Sequence, residues 1–162
     1  MTTPESQPIM IFHDFESNNS NVKLTEWPLH FTLTPFFTLD NVPQAEALSF
    51  IKEISQSVRS IEIEPGEMAM YGPNNDIPVT RINDISGELM QLHQTLIRGL
   101  GEIGCQFVDL SYSLDNYSPH ISHKSSHPVP TSLYSVDSIS VAIRLPKIAE
   151  ANKVILENIT LG

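Results

Sequence analysis

Two stretches of the sequence carry apolar residues at helical spacing, and the segments around them alternate with a period of two. Leu48, Ile51, Ile54, Ser55 and Val58 recur at steps of three and four after Pro43, with Asp40 or Asn41 available as a cap, which predicts a helix over 44–59. Leu89, Leu92, Leu96, Leu100 and Ile103 repeat the pattern after Ser86, and Gly99, Gly101 and Gly104 loosen its end. Strands are expected at 9–12, at 30–39 with Pro35 ending or bending it, in a hairpin over 61–71 turning at Pro65-Gly66, and at 77–82, 117–123, 139–145 and 154–161. Helices set among hairpins, without strict βαβ alternation, imply an α+β fold with largely antiparallel pairing.

A chain of 162 residues lacks room for two full cores, so residues 1–162 read as a single domain with 1–8 as a loose terminus. The segment ESNNSNV at 16–22 is a surface loop, as is KSSHPVPTS at 124–132. Nine Lys and Arg stand against nineteen Asp and Glu, a net charge of −10 that repels polyanions and excludes an extended nucleic-acid groove. One cysteine, Cys105, excludes an internal disulfide and favours a reducing compartment. The apolar run at 9–12 is too short for a signal peptide or a membrane span, so a cytoplasmic protein without membrane attachment is expected. No GxxxxGK[ST], GxGxxG or GxSxG is present and GLGEIG at 99–104 follows a helix, so no nucleotide cofactor is implied.

Six histidines stand at 13, 30, 93, 120, 123 and 127, and four of them have Ser or Thr two residues on. Secondary structure sorts these pairs, because residues i and i+2 share a face of a strand but lie about 200° apart around a helix. His93 sits on the second helix beside its apolar stripe and reads as a packing histidine. In His30-Phe31-Thr32-Leu33 the imidazole and hydroxyl point one way while Phe31 and Leu33 pack the other. His120-Ile121-Ser122-His123 repeats the arrangement ninety residues later. His123 with Ser125 would require the opposite register, with His120 in the core.

These two motifs, within WPLHFTL at 27–33 and YSPHISH at 117–123, resemble the signature of the two-histidine phosphoesterases, the superfamily of RNA 2′,5′-ligase-like proteins and cyclic phosphodiesterases. Spacing, length and the helix before the second motif also fit over roughly 8–161. Two departures stand out: His123 occupies a position that is usually apolar, and Leu29 separates Pro28 from the first histidine. The resemblance implies two similar lobes of largely antiparallel sheet, helices packed outside, and a central cleft with one motif on each side. It implies His30 and His120 as catalytic residues and Thr32 and Ser122 as phosphate ligands. Two imidazoles titrating near pH 6.5 supply both an acid and a base for a 2′,3′-cyclic or 2′–5′/3′–5′ phosphodiester, with no metal required.

The scarcity of cations points to a small nucleotide or an RNA end as substrate. Arg81, Lys124 and Arg144 are candidate phosphate contacts, and Trp27, Tyr117, Tyr71 and Tyr112 candidate stacking surfaces for a base. Two other readings compete: a nucleotide-binding protein of the same fold without turnover, and a metal site built from His120, His123 and His127 near Asp115.

Overall fold

The computed structural model describes residues 7–147 and 150–162, so most of the expected loose terminus (1–6) lies outside the described residues. In chain order the elements are β1 (Ile9–Asp14), β2 (Lys23–Leu24), β3 (His30–Thr38), α1 (Gln44–Gln56), β4 (Ile61–Tyr71), β5 (Ile77–Asn83), α2 (Glu88–Ile103), β6 (Gln106–Phe107), β7 (His120–Ser122), β8 (Tyr134–Val136), β9 (Ser138–Arg144) and β10 (Lys153–Thr160). The strands line up in the order β2-β10-β9-β1-β3-β7-β5-β4-β8, with β6 joined to β3, and the pairings are antiparallel. This is the mostly antiparallel α+β fold with two helices that the alternation of patterns implies.

β1 is buried along its whole length because β3 and β9 flank it and both of its faces are covered. One face, with Ile9 and Ile11, joins the main core beneath α1 and α2, where Ile51, Leu89, Leu92, Leu96 and Leu100 pack. The same cluster includes Ile61, Ile63, Ile121 and Val136, so a continuous core underlies both halves of the sheet. The other face carries Met10, Phe12, Ala142 and Ile155, with Trp27 and Phe36 against them. Gly99 lets the two helices close up, since a Cβ there would run into the ring of Phe50.

The halves of the sheet meet at the single pair Phe31↔Ile121 between β3 and β7. Further along, β3 pairs instead with β6 at Phe37↔Phe107.

Several expectations are corrected. Pro65-Gly66 is not a turn: β4 runs straight through it, exchanging β8 for β5 as partner, and the pair sits in an irregularity between the Pro65 and Met68 registers. Gly66 is needed there because a Cβ would stand 2.9 Å from Asn83 Oδ1 and 3.2 Å from the Arg81 carbonyl. The hairpin turns instead at Gly72 to Asp76, where Gly72 has φ of 94°. The first helix stops at Gln56, and neither Asp40 nor Asn41 caps it; Pro43 takes that position. Gly87, with φ of 79°, precedes α2, and the Asp84 carboxylate accepts the free N–H groups of Leu89 and Met90 at 3.1 and 2.9 Å. β3 continues past Pro35, whose missing N–H is tolerated where β3 holds extra residues relative to β1. The strand expected at 117–123 shortens to His120–Ser122 because Tyr117, though extended, gives its N–H to the Leu114 carbonyl to close a 3-10 segment, Leu114–Asn116, instead of to a neighbouring strand.

Candidate active site

The antiparallel pair Phe31↔Ile121 sets the geometry. Both of these residues are buried in the core, so their neighbours His30, Thr32, His120 and Ser122 project from the opposite face. Antiparallel register then places His30 across from Ser122 and Thr32 across from His120, a near-twofold arrangement with imidazole and hydroxyl exchanged between strands.

The imidazoles are held the same way. His30 Nδ1 lies 2.7 Å from the Pro28 carbonyl, and His120 Nδ1 lies 3.0 Å from the Ser118 carbonyl, two residues earlier in each case. A carbonyl only accepts, so each Nδ1 carries the proton and donates it, leaving Nε2 as the nitrogen free for chemistry. Phe12 and Trp27 surround the His30 ring edge-on and tilted, at centroid distances of 5.4 and 6.2 Å. Burial holds His30 below the ordinary histidine range, against the opposing hydrogen bond to Pro28 and the charge of Asp14; positive charge on His120 and Lys124 adds to the lowering.

Each motif has an outer neighbour strand that supplies one charged residue opposite the histidine: Asp14 on β1 across from His30, and Arg81 on β5 across from His120. Asp14 spends its carboxylate on the backbone N–H groups of Glu16 and Asn18, at 2.7 and 2.9 Å. The Arg81 guanidinium lies 5.8 Å from the centre of the Tyr71 ring, which in turn meets His120 edge-on at 4.7 Å. A cavity of about 750 Å³ opens here between His120, Ser122, Tyr71, Met70, Ile77 and Tyr112. A second cavity, of about 270 Å³, borders Thr32, Tyr112 and again His120. His30 lines neither; it sits back beneath Trp27.

A sequence profile of the 2'-5' RNA ligase superfamily matches residues 5–136. The chain belongs to that superfamily. Nothing among curated proteins matches it. Three solved structures share the fold: TT0787 of Thermus thermophilus (14% identity, 95% of this chain and 97% of that one, TM-score 0.60), E. coli LigT complexed with 3'-AMP (14%, 97% and 99%, 0.58), and a phosphoesterase (15%, 97% and 99%, 0.57). The two-histidine resemblance read from 27–33 and 117–123 is therefore shown at the level of family and fold. No helix among the described residues is long and apolar enough to cross a membrane.

Within this superfamily fold the remaining candidates fall in several places. Tyr117 lies flat on His93, with ring centroids 3.7 Å apart, and donates its hydroxyl to the Thr32 carbonyl at 2.7 Å. One of its faces is thus taken internally, and burial pushes its hydroxyl far up. His93 donates from Nδ1 to the Leu33 carbonyl and accepts the Leu114 N–H at Nε2, 2.9 Å away. A packing histidine thereby ties α2 to both motif segments, a role that helical periodicity hides. Tyr112, 81% exposed, stands between the two cavities with its ring open.

Lys124 is engaged by Glu16 at 2.8 Å and Glu26 at 3.4 Å, which places its ammonium near His30 but partly neutralises it. Trp27 and Arg144 lie on the His30 side, Arg144 over Phe36 at 4.5 Å. The three histidines of the metal reading are not brought together. His123 Nε2 lies 2.7 Å from Thr80 Oγ1 and His127 Nδ1 turns toward the Pro128 carbonyl, and no group of three metal-ligating side chains occurs among the described residues. His123 at the usually apolar position is accommodated because Thr80, on the neighbouring strand, offers it a hydroxyl. Cys105 is buried and its thiol is pushed up to about 11 by burial and by Asp40 and Glu46, so it is no nucleophile.

Proposed function

We propose that the chain is a phosphodiesterase that opens a 2′,3′-cyclic or 2′–5′/3′–5′ linked nucleotide phosphodiester by general acid and base catalysis from His30 and His120, without a metal. The observation that carries this reading is the matched pair of imidazoles, each clamped through Nδ1 on a carbonyl and each set beside the other strand's hydroxyl. His30, kept neutral by burial, takes the proton from the attacking oxygen at Nε2. His120, beside the open cavity, holds a proton at Nε2 and passes it to the leaving oxygen. Thr32 and Ser122 donate to the non-bridging oxygens, whose charge grows in the transition state. Thr32 is ready for this, since its hydroxyl rests on the Met10 sulfur at 3.8 Å, a weak acceptor that a phosphate oxygen replaces. Arg81, opposite His120, is placed to oppose the same charge.

The substrate is a small nucleotide or an RNA end. The described cavities are local, and E. coli LigT, which shares the fold, has been crystallised with 3'-AMP, NADP+, ATP and phosphate. The unpaired, buried Cys105 supports a reducing, cytoplasmic setting.

The test is turnover of a panel of 2′,3′-cyclic mononucleotides, 2′–5′ dinucleotides and cyclic-ended short RNA in EDTA, with products read by phosphorus NMR, for wild type, His30→Ala and His120→Ala. Cleavage that survives EDTA and collapses in both variants supports the mechanism. Turnover lost in EDTA, or retained in either variant, overturns it. Binding without turnover by the folded wild type identifies a non-catalytic nucleotide-binding protein instead.

A further inference from the structure

The ladder register carries the His30 face outward from the catalytic pair. Thr32 pairs with Phe12 on β1; Met10, two residues before Phe12, pairs with Ala142 on β9. Ala142 pairs with Ile155, and two residues beyond each stand Arg144 and Lys153, themselves a cross-strand pair on the same face. Two cations directly opposite one another on an antiparallel ladder repel. This happens in a chain with ten more acidic than basic residues, yet neither cation is within ion-pair distance of a carboxylate among the described residues. Glu26, next in sequence to Trp27, is taken by Lys124.

Aromatic rings and neutral acceptors hold the two cations in place instead. Arg144 lies over Phe36 at 4.5 Å and Lys153 over Trp27 at 5.6 Å, while the two rings meet at 6.0 Å. Lys153 also donates to the Thr25 carbonyl and Asn152 Oδ1, which orient it without neutralising it. The Trp27 ring also neighbours His30, at 6.2 Å between centroids, so one ring lies between the imidazole and Lys153, and two rings, Trp27 and Phe36, between it and Arg144. A cavity of about 410 Å³ opens beside Arg144, and Lys147 borders it.

We infer that Arg144 and Lys153 form a station for a second phosphate of the same substrate, on the His30 side of the cleft. The inference rests on the phosphodiesterase reading and narrows it: the preferred substrate carries, besides the reacting diester, either a terminal phosphate or the next internucleotide phosphate. An anion between the two cations removes their mutual repulsion and gains charge-assisted hydrogen bonds from both.

Two assays keep this separate from the catalytic reading. The first compares kcat/KM for adenosine 2′,3′-cyclic phosphate, its 5′-phosphorylated form and a cyclic-ended adenosine dinucleotide. Wild type should favour one or both doubly charged substrates by about tenfold, as one to two charge-assisted contacts give. Arg144→Gln with Lys153→Gln should abolish that ratio, while Lys52→Gln with Arg98→Gln, an equal loss of two charges at exposed helix positions, should leave it. A preference confined to the 5′-phosphate identifies a terminal phosphate; one confined to the dinucleotide identifies a chain phosphate. The second assay needs no turnover: Trp27, the only tryptophan, reports binding by fluorescence, and adenosine 3′,5′-bisphosphate should bind about tenfold more tightly than 3′-AMP in wild type but not in the double variant. Equal affinity in wild type, or a preference that survives the double substitution, overturns the inference even if the enzyme turns over; preference in binding without turnover overturns only the catalytic reading.

Discussion

His30 and His120 occupy equivalent places on β3 and β7, yet their surroundings differ in every respect the backbone leaves open. One imidazole is enclosed by Phe12 and Trp27 and faces a carboxylate, Asp14, on its outer strand. The other meets Tyr71 at the lip of a large cavity and faces a guanidinium, Arg81. The Thr32 hydroxyl rests on the Met10 sulfur within a packed cluster, whereas Ser122 is exposed. A duplicated local design thus yields two imidazoles in different surroundings, of which burial lowers the His30 one; the proposed division into base and acid rests on that asymmetry.

The sharpest break of this comparison is removal of each ring. His30→Ala and His120→Ala should each lower kcat/KM by about 10²–10⁴-fold, the usual worth of a positioned acid or base. The two losses should differ in pH dependence: the acidic limb of the wild-type kcat/KM profile, set by protonation of His30 below pH 6.5, should disappear in His30→Ala and persist in His120→Ala. A next, smaller effect comes from the hydroxyls. Thr32→Val and Ser122→Ala should each cost about 10–100-fold, mostly in kcat, because their hydrogen bonds strengthen as charge grows on phosphate. An effect confined to KM would mean that they bind ground-state substrate only.

The parts of this site that were legible in sequence are those fixed by period. The two-residue alternation at His30-Phe31-Thr32 and His120-Ile121-Ser122 put imidazole and hydroxyl on one face, and the apolar spacing of α1 and α2 located the helices. Partners across strands have no such signal. Asp14 and Arg81 lie sixteen and thirty-nine residues from the histidines they face, and only the sheet register brings them together. Lys153 and Phe36 were invisible for the same reason. Pro65-Gly66 carries the chemistry of a turn, but β4 changes partners there and the sheet overrides it. The apolar stripe of α2 marks His93 as a packing residue, and it is buried, but its bonds to Leu33 and Leu114 follow from tertiary placement alone.

Burial has a consequence for stability as well as for catalysis. His13, His30 and His93 are all held below the ordinary histidine range, chiefly by burial. The unfolded chain therefore binds more protons than the folded one as pH falls below about 6.5, and stability declines through that window and on down to the lowered folded values. Urea midpoints measured at pH 7.5 and 5.5 should show the lower midpoint at pH 5.5, a range in which unperturbed carboxylates change little. Equal midpoints would show that the three rings are not kept neutral by the fold, and would remove the asymmetry on which His30 was assigned as base.

The smallest expected effect tests the outer neighbours. Asp14 raises His30 through its charge, opposing the dominant effect of burial. Asp14→Asn removes the charge and keeps one acceptor oxygen for the Glu16 N–H, but the oxygen that receives Asn18 becomes an amide NH2, so the loop after β1 loses that anchor too and the variant is compared at an unchanged circular dichroism spectrum. The folded His30 should then titrate lower still, moving the acidic limb of kcat/KM to lower pH. A weaker base also removes a proton less readily, so the plateau rate should fall slightly even as the active range widens. Arg81→Gln has no such charge to remove from beside His30; its effect should appear on the plateau, through lost opposition to phosphate charge, with the acidic limb in place. If both variants moved the same limb by the same amount, the two half-sites would share one electrostatic environment, and the division of labour between His30 and His120 would have to come from substrate orientation instead.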